Sequence, residues 1–414
     1  MRILLWHGYL LGGTGSNVYT RALAREWSRA GHDVVVVSQE RQPERYDLGG
    51  AQTVAVELPG GLLPVFVIDR YEGLNPAYLQ DFSDAEKHAY VEANAAALRE
   101  LLPADLVFAN HVLMGAAVGA ASGARFRVKA HGSELEYSMR GRPDLEAWGR
   151  EALARADATY VGSAHIREVL EDVVGHVERV FEVPPGVDID EFRLQDRPAA
   201  LAGLIEEARR DAPNPGNAEE RLPDDGNAAR LAAFLDGDSP VVVYFGKLIE
   251  QKGVQVLLEA MHGIEARLVV VGFGPYRAAL EEAAPKGTLF TGPLEHRHLV
   301  HLLALADVTV VPSIFPEAFG MVAAEAAAAG SPPLVARHSG LAEIAAGLEA
   351  SYPERFRELA SFETGDARDL AGKLSEVLAL PRAERDVLRR AARQAVVERW
   401  SWASVAERLL APVE

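Results

Sequence analysis

At 414 residues the chain is longer than one hydrophobic core normally organises, so two domains are expected. Apolar residues make up 49% and charged residues 25%, as in a globular enzyme, while a net charge of −18 argues against a nucleic-acid partner and against an anionic membrane unless one face is locally basic. Cysteine is absent, which excludes disulfides, thiolate catalysis and Cys-ligated zinc.

The chain opens with "MRILLWHGYLLGGTGSN", whose apolar run is too short for a signal peptide, and no run approaches the roughly 18–20 apolar residues of a membrane span. A cytoplasmic protein is expected, with peripheral association at the inner membrane face as an open alternative. A strand over 3–6 leads through a glycine turn into a helix over 17–30. Continuous apolar runs then predict strands at 34–37, 105–110, 127–132, 158–163 and 177–186, with a helix over 86–102. The stretch from Arg125 to Arg155 is basic but alternates with Glu134, Glu136, Asp144 and Glu146. It reads as a mixed solvated face, the alternative being a site for an anionic acceptor.

The pattern restarts with strands at 240–247, 266–274, 288–293, 307–313 and 332–337. Between the two series, about 195–238 reads as a flexible linker or surface insertion, because it holds "DAPNPGN" and "LPDDGNAA". The expected fold class is α/β: two Rossmann-like doubly wound parallel-sheet domains whose strand ends face an interdomain cleft. Their boundaries are placed at 1–187 and 188–395, with 396–414 crossing back to the first domain.

Several segments carry candidate chemistry. "GGTGSN" (12–17) joins the first strand to the first helix, where glycines let an anion approach the helix N-terminus. It is an incomplete dinucleotide fingerprint: Val18 occupies the third glycine position, although Glu40 lies near the place of a ribose-binding acid. The loop reads equally as a phosphate loop or a tight structural turn. In "YFGKLIEQKG" (244–253), Lys247 and Lys252 flank a strand end and could stabilise a departing diphosphate, or could be solvated surface lysines. In "PSIFPEAFGMVAAEAAAAG" (312–330), Glu317 and Glu325 lie about 12 Å apart if a helix begins near Phe319, so both could touch one extended ligand. Phe319, Gly320 and Met321 would then present free backbone N–H groups. A core helix carrying two surface glutamates is the alternative. Asn110 and His111 end a strand and are candidates for the acceptor, or form a satisfied polar pair.

The order "GKLIEQKG", "VGFGP", "FTGPL" and "PSIFPEAFG" followed by Glu325, with the N-terminal glycine loop, "AHGSE" and "PPGVD", resembles glycosyltransferase family 4 over nearly the whole chain. That resemblance implies the GT-B fold and a retaining, metal-independent transfer of a hexosyl group from a nucleoside diphosphate sugar, UDP-hexose first, to a small-molecule, glycan or lipid-linked acceptor. No further cofactor is implied. Lys247 and Lys252 would hold the diphosphate, with Gly13 approaching it. Glu317 would bind the hexose hydroxyls with the amides of Phe319, Gly320 and Met321, and Glu325 the ribose. Gly246, Gly272, Gly274 and Leu294 would line the donor site, and His131 would lie beside the sugar. The chain departs from the pattern at Lys247, where the family usually carries Arg, and at Ser339-Gly340, where it carries a glycine pair.

The pairs Asp188/Asp190 and Asp236/Asp238 lie in linking segments and are read as having no metal role. His296, His298 and His301 read as a solvated helix start, and Trp400 and Trp402 as packing anchors. The rival readings are a nucleotide-sugar epimerase of the same architecture and a nicotinamide-dependent dehydrogenase, which would need the full glycine fingerprint.

Overall fold

In a computed structural model, residues 1–12, 15–66, 74–214 and 222–413 are described. The chain divides into two compact units, Met1–Gly186 with Trp402–Glu414, and Val187–Ser401. The second crossing falls at 401/402, later than 395/396, because the helix there continues to Arg399.

The first unit contains β1 (Arg2–Trp6), α1 (Ser16–Arg29), β2 (Asp33–Ser38), β3 (Gln52–Ala55), β4 (Leu62–Val65), β5 (Asn75–Tyr78), α2 (Asp84–Glu100), β6 (Leu106–Asn110), α3 (Ala117–Ser122), β7 (Phe126–Lys129), α4 (Pro143–Leu153), β8 (Ala158–Val161), α5 (Ala164–Val174) and β9 (Val180–Glu182). Its seven-stranded sheet is parallel in the order β3-β2-β1-β6-β7-β8-β9, and β4 and β5 form a separate parallel pair. The continuous apolar strands follow from burial on both faces. Ile3, Leu5, Val34, Val36 and Phe108 pack into one cluster, while Leu4, Trp6, Val35, Val37, Val107 and Ala109 pack into the other. The C-terminal helix Trp402–Leu410 completes the first of these through Trp402, Val405, Ala406 and Leu409. Helix α2 starts earlier than its apolar pattern, since Ser83 and Glu86 form a capping box.

The second unit contains α6 (Arg197–Arg209), α7 (Asn227–Leu235), β10 (Val241–Phe245), α8 (Val254–Ala260), β11 (Arg267–Val271), α9 (Arg277–Ala283), β12 (Thr288–Phe290), α10 (His296–Leu305), β13 (Val308–Val311), α11 (Met321–Ala329), β14 (Pro333–Ala336), α12 (Ser339–Ser351), β15 (Ser361–Phe362), α13 (Ala367–Ala379) and α14 (Arg382–Arg399). Its parallel order is β12-β11-β10-β13-β14-β15, with the reversal between β10 and β13 where doubly wound sheets bind ligands.

The flexible-linker reading of 195–238 is corrected. Asp196 caps α6 by accepting the Ala199 N–H, and Ala200, Leu204 and Ala208 form a buried stripe. Helix α7 adds Leu231 and Leu235 to the same core, each such leucine contributing about 1.5–3 kcal/mol.

Candidate active site

The donor-site candidates collect at the carboxyl ends of β10 to β13, and glycine decides how closely those ends approach. The Gly246 N–H donates to the Val271 carbonyl (3.0 Å), Leu248 to Phe273 (2.7 Å) and Gly272 to Gly292 (3.0 Å), so successive loops are joined backbone to backbone. Gly272 has φ 144°, and a Cβ there would lie 1.8 Å from the Gly246 carbonyl oxygen. A Cβ at Gly274 would lie 2.3 Å from the Leu248 oxygen. Gly272→Ala must therefore shift backbone and hold a disfavoured φ. It is expected to cost roughly 2–6 kcal/mol, summing strain and overpacking, measured by chemical denaturation. An unchanged midpoint would contradict this account of the loop.

Lys252 ends a short 3-10 turn, Glu250–Lys252, and Gly253 follows with φ 67°. A Cβ at Gly253 would sit 1.9 Å from the Pro312 carbonyl oxygen, so the turn lies directly against the β13 end. This proximity lets Lys252 Nζ donate to Glu317 Oε1. Lys247 is exposed, and its carbonyl accepts the Tyr244 hydroxyl (2.8 Å).

Helix α11 begins at Met321, so Glu317 precedes it and the helical spacing to Glu325 does not apply. Glu317 is fixed through its backbone instead. Its N–H donates to Ser339 Oγ (2.8 Å), Ser339 Oγ donates to His338 Nδ1 (3.0 Å), and His338 Nε2 donates to the Ser313 carbonyl (2.6 Å). Ser339 holds φ 44°, a glycine-like conformation. A Cβ at Gly340 would meet the Phe319 Cα at 2.5 Å, so that position needs glycine. Phe319 is buried against Trp400 (5.8 Å), and Gly320, φ 109°, opens the helix whose first N–H groups lack intrahelical partners.

Within α11, burial pushes the Glu325 carboxyl up to about 7, His296 pulling it back and Glu191 adding to the rise. Burial opposes the charge on His296, but its contact with Glu191 (3.2 Å), with Glu325 and Asp188 nearby, leaves its pKa raised. Leu294 is buried in the loop before α10. The histidine cluster is not a solvated helix start. His298 is buried and meets Asp211 (3.0 Å), and His301 bonds Gln195 (3.0 Å).

In the first unit, Gly13 lies outside the described residues. Glu40 joins the loops after β1 and β2, accepting the N–H groups of Leu11, Arg41 and Gln42. Asn110, His111 and His131 do come together, because β6 and β7 are neighbours in the sheet. Asn110 Nδ2 donates to the Trp6 carbonyl and Thr20 Oγ1 (3.2 Å each), which leaves its Oδ1 to accept His131 Nε2–H (2.7 Å). His111 Nδ1 lies 2.7 Å from Glu134 Oε2, and Glu134 Oε1 accepts the Val112 N–H (2.9 Å). Glu134 is fully buried, which corrects its assignment to a solvated face: "HGSE" turns the carboxylate inward.

His7, missed in the sequence, ends β1 and stacks 6.0 Å from His111. Its position directly after the strand adjoining β6 was the available signal. Burial first, then the neighbouring His111 ring, lowers His7 to about 3 and holds His131 well below its usual range, so His7 and His131 are neutral near pH 7. Trp402 packs against Tyr19 (5.4 Å), which packs against His131 (5.2 Å).

Two parallel sheets of this order, with glycine-joined strand ends and a lysine–glutamate pair at the reversal point of the second, form a doubly wound α/β architecture whose strand ends can bind a ligand. Known families agree. Residues 13–191 match Glycosyltransferase Family 4, and residues 228–395 match Glycosyl transferases group 1. A D-inositol 3-phosphate glycosyltransferase of Xylanimonas cellulosilytica is 33% identical over 217 residues, covering 49% of this chain and 46% of that protein. The match thus spans less than half of that relative's length. A GDP-mannose-dependent monoacylated alpha-(1-6)-phosphatidylinositol monomannoside mannosyltransferase of Corynebacterium glutamicum is 26% identical, covering 72% of each chain. Anabaena Alr3699/HepE, solved in complex with UDP-glucose, superimposes with a TM-score of 0.66 at 15% identity, over 99% of this chain and 98% of that one. The chain belongs to the GT-B glycosyltransferases, its first unit of the family 4 type and its second of the group 1 type. Among the described residues, no helix is long and apolar enough to cross a membrane.

Proposed function

We propose that the protein is a retaining hexosyltransferase that uses a nucleoside diphosphate sugar, UDP-hexose first, and transfers to an acceptor hydroxyl. The observation that carries this is the Lys252–Glu317 pair at the β10/β13 reversal. Lys252 and Lys247 supply fixed positive charge for the leaving diphosphate, helped by the N–H groups at Gly320 and Met321, which favour an anion. Glu317 accepts from hexose hydroxyls. Gly246, Gly272, Gly274 and Leu294 shape the donor site, and Glu325 binds the ribose. The acceptor is held by the first unit at Asn110 and His111, with His131 beside the sugar. HepE's UDP-glucose complex supports a UDP donor, and the inositol-containing acceptors in the relatives' names support a hydroxylated ring as acceptor.

Calorimetric titration with UDP tests the donor end of this reading. Glu325→Ala is expected to weaken UDP by roughly 10–100-fold, the worth of charge-assisted hydrogen bonds. The raised pKa sets a sign: below about 7 the wild-type carboxyl is protonated and a poorer acceptor. The deficit of the variant should therefore grow as pH rises through that value. Equal UDP affinity in both proteins would remove the ribose assignment, and no UDP binding by wild type would remove the donor.

A further inference from the structure

His111 combines features that the donor chemistry does not use. It has φ 76°, a conformation that residues other than glycine rarely adopt. A π-helical turn, Val112–Ala116, follows it directly, and another, Leu135–Met139, directly follows Glu134. Such turns are rare and concentrate at functional sites. The side chain is 2% exposed, and its Nε2 has no hydrogen-bond partner among the described residues. A buried imidazole nitrogen left unpaired is costly, so a ligand or a water completes it.

The state of the ring follows from its partner. A carboxylate only accepts, so Glu134 holds a proton on His111 Nδ1, and the Nδ1–H tautomer carries its lone pair on Nε2. We propose that His111 and Glu134 form the grip for a neutral polyol acceptor, with Nε2 accepting a hydroxyl other than the one that attacks. This rests on the transferase reading above. The surroundings select the chemistry. His7 and His131 are neutral and offer no cation to a phosphate, while Tyr9 (5.4 Å) and Phe66 (5.2 Å) present aromatic rings beside His111. The attacking hydroxyl forms the new glycosidic bond as the sugar–phosphate bond breaks, and its proton goes to the departing phosphate oxygen. His111 is not consumed in the step, and Glu134 is a positioning residue.

Glu134→Gln separates positioning from mere packing. Its amide oxygen can still accept the Val112 N–H, but its NH2 then faces His111 Nδ1 and moves the ring proton to Nε2. The experiment uses the full chain with UDP-glucose as donor, and myo-inositol, glucose and D-inositol 3-phosphate as acceptor probes. Transfer to a neutral probe is expected, with kcat/KM for that acceptor falling roughly 10–100-fold in Glu134→Gln, a larger loss than that in UDP-glucose hydrolysis. His111→Asn, which tolerates positive φ, should show the same split with wild-type UDP affinity. Nitrogen NMR of labelled histidine should find His111 Nε2 unprotonated in wild type and protonated in Glu134→Gln.

Transfer only to the phosphorylated probe, or to none, overturns the proposal. So does an Nε2 proton in wild type, or a tautomer change with unaltered acceptor kinetics, which would assign the nitrogen to an internal water. Failure of wild type to bind or hydrolyse UDP-glucose would instead sink the transferase reading itself.

Discussion

Lys252→Ala is expected to lower kcat/KM for the nucleotide-sugar donor by at least ~100-fold while leaving thermal stability almost unchanged. The two halves of that expectation have different causes. Lys252 and Glu317 are 31% and 20% exposed, so their pairing is worth only about 0–1 kcal/mol to the fold. In the transition state, by contrast, a cation fixed at the strand end meets charge that grows as the diphosphate leaves. Its position is over-determined, because Gly253 lies against the Pro312 carbonyl and Ile314 N–H donates to the Gln251 carbonyl (3.0 Å). Losing one such preorganised contact costs on the order of 100–1,000-fold in turnover. Lys247→Arg should be tolerated, since family members usually carry Arg there. Steady-state kinetics with the preferred donor decide the matter, and near-native turnover of Lys252→Ala would end its assignment.

The parts of this molecule legible in the sequence were those with an unambiguous period. Val34 to Val37 and Val241 to Phe245 are buried on both faces, as their continuous β-branched and aromatic runs suit interior parallel strands. Helix α6 was obscured because it buries only a narrow stripe, Ala200, Leu204 and Ala208, ahead of a Pro- and Gly-rich segment. Short strands such as β3 and β15 carry too few residues to show a period. Glu134 was misread for a more instructive reason. Charge alternation along the chain says nothing about direction once the backbone enters a π-helical turn, and that turn places its carboxylate against His111. The first-unit site depends on β1, β6 and β7 being adjacent, a long-range fact that brings together His7, Asn110, His111 and His131. Reading the residues just beyond each strand at the expected reversal point would have added His7.

An α-linked nucleotide donor should give an α-linked product, with activity surviving EDTA. The alternatives differ in which atom takes the proton of the attacking hydroxyl. In same-face transfer the departing phosphate oxygen takes it, while Lys252, Lys247 and the α11 N-terminus carry the diphosphate charge without a metal. In back-side transfer a base must stand on the acceptor side, and the His111–Glu134 pair has the required chemistry: an imidazole whose Nδ1 is held by a carboxylate. In the same-face reading its Nε2 instead accepts a hydroxyl that does not attack and takes no proton. Asp188 is an unsuitable rival for a metal, since its Oδ1 already accepts the N–H groups of Asp190 and Glu191 (3.0 Å each). The anomeric proton coupling of the product reads the outcome directly. A β-linked product would make His111 the base and turn Glu134→Gln from a defect in acceptor binding into a loss of turnover. Activity abolished by EDTA and restored by magnesium or manganese would return the Asp188–Asp190 segment to the diphosphate, at the expense of the lysine clamp.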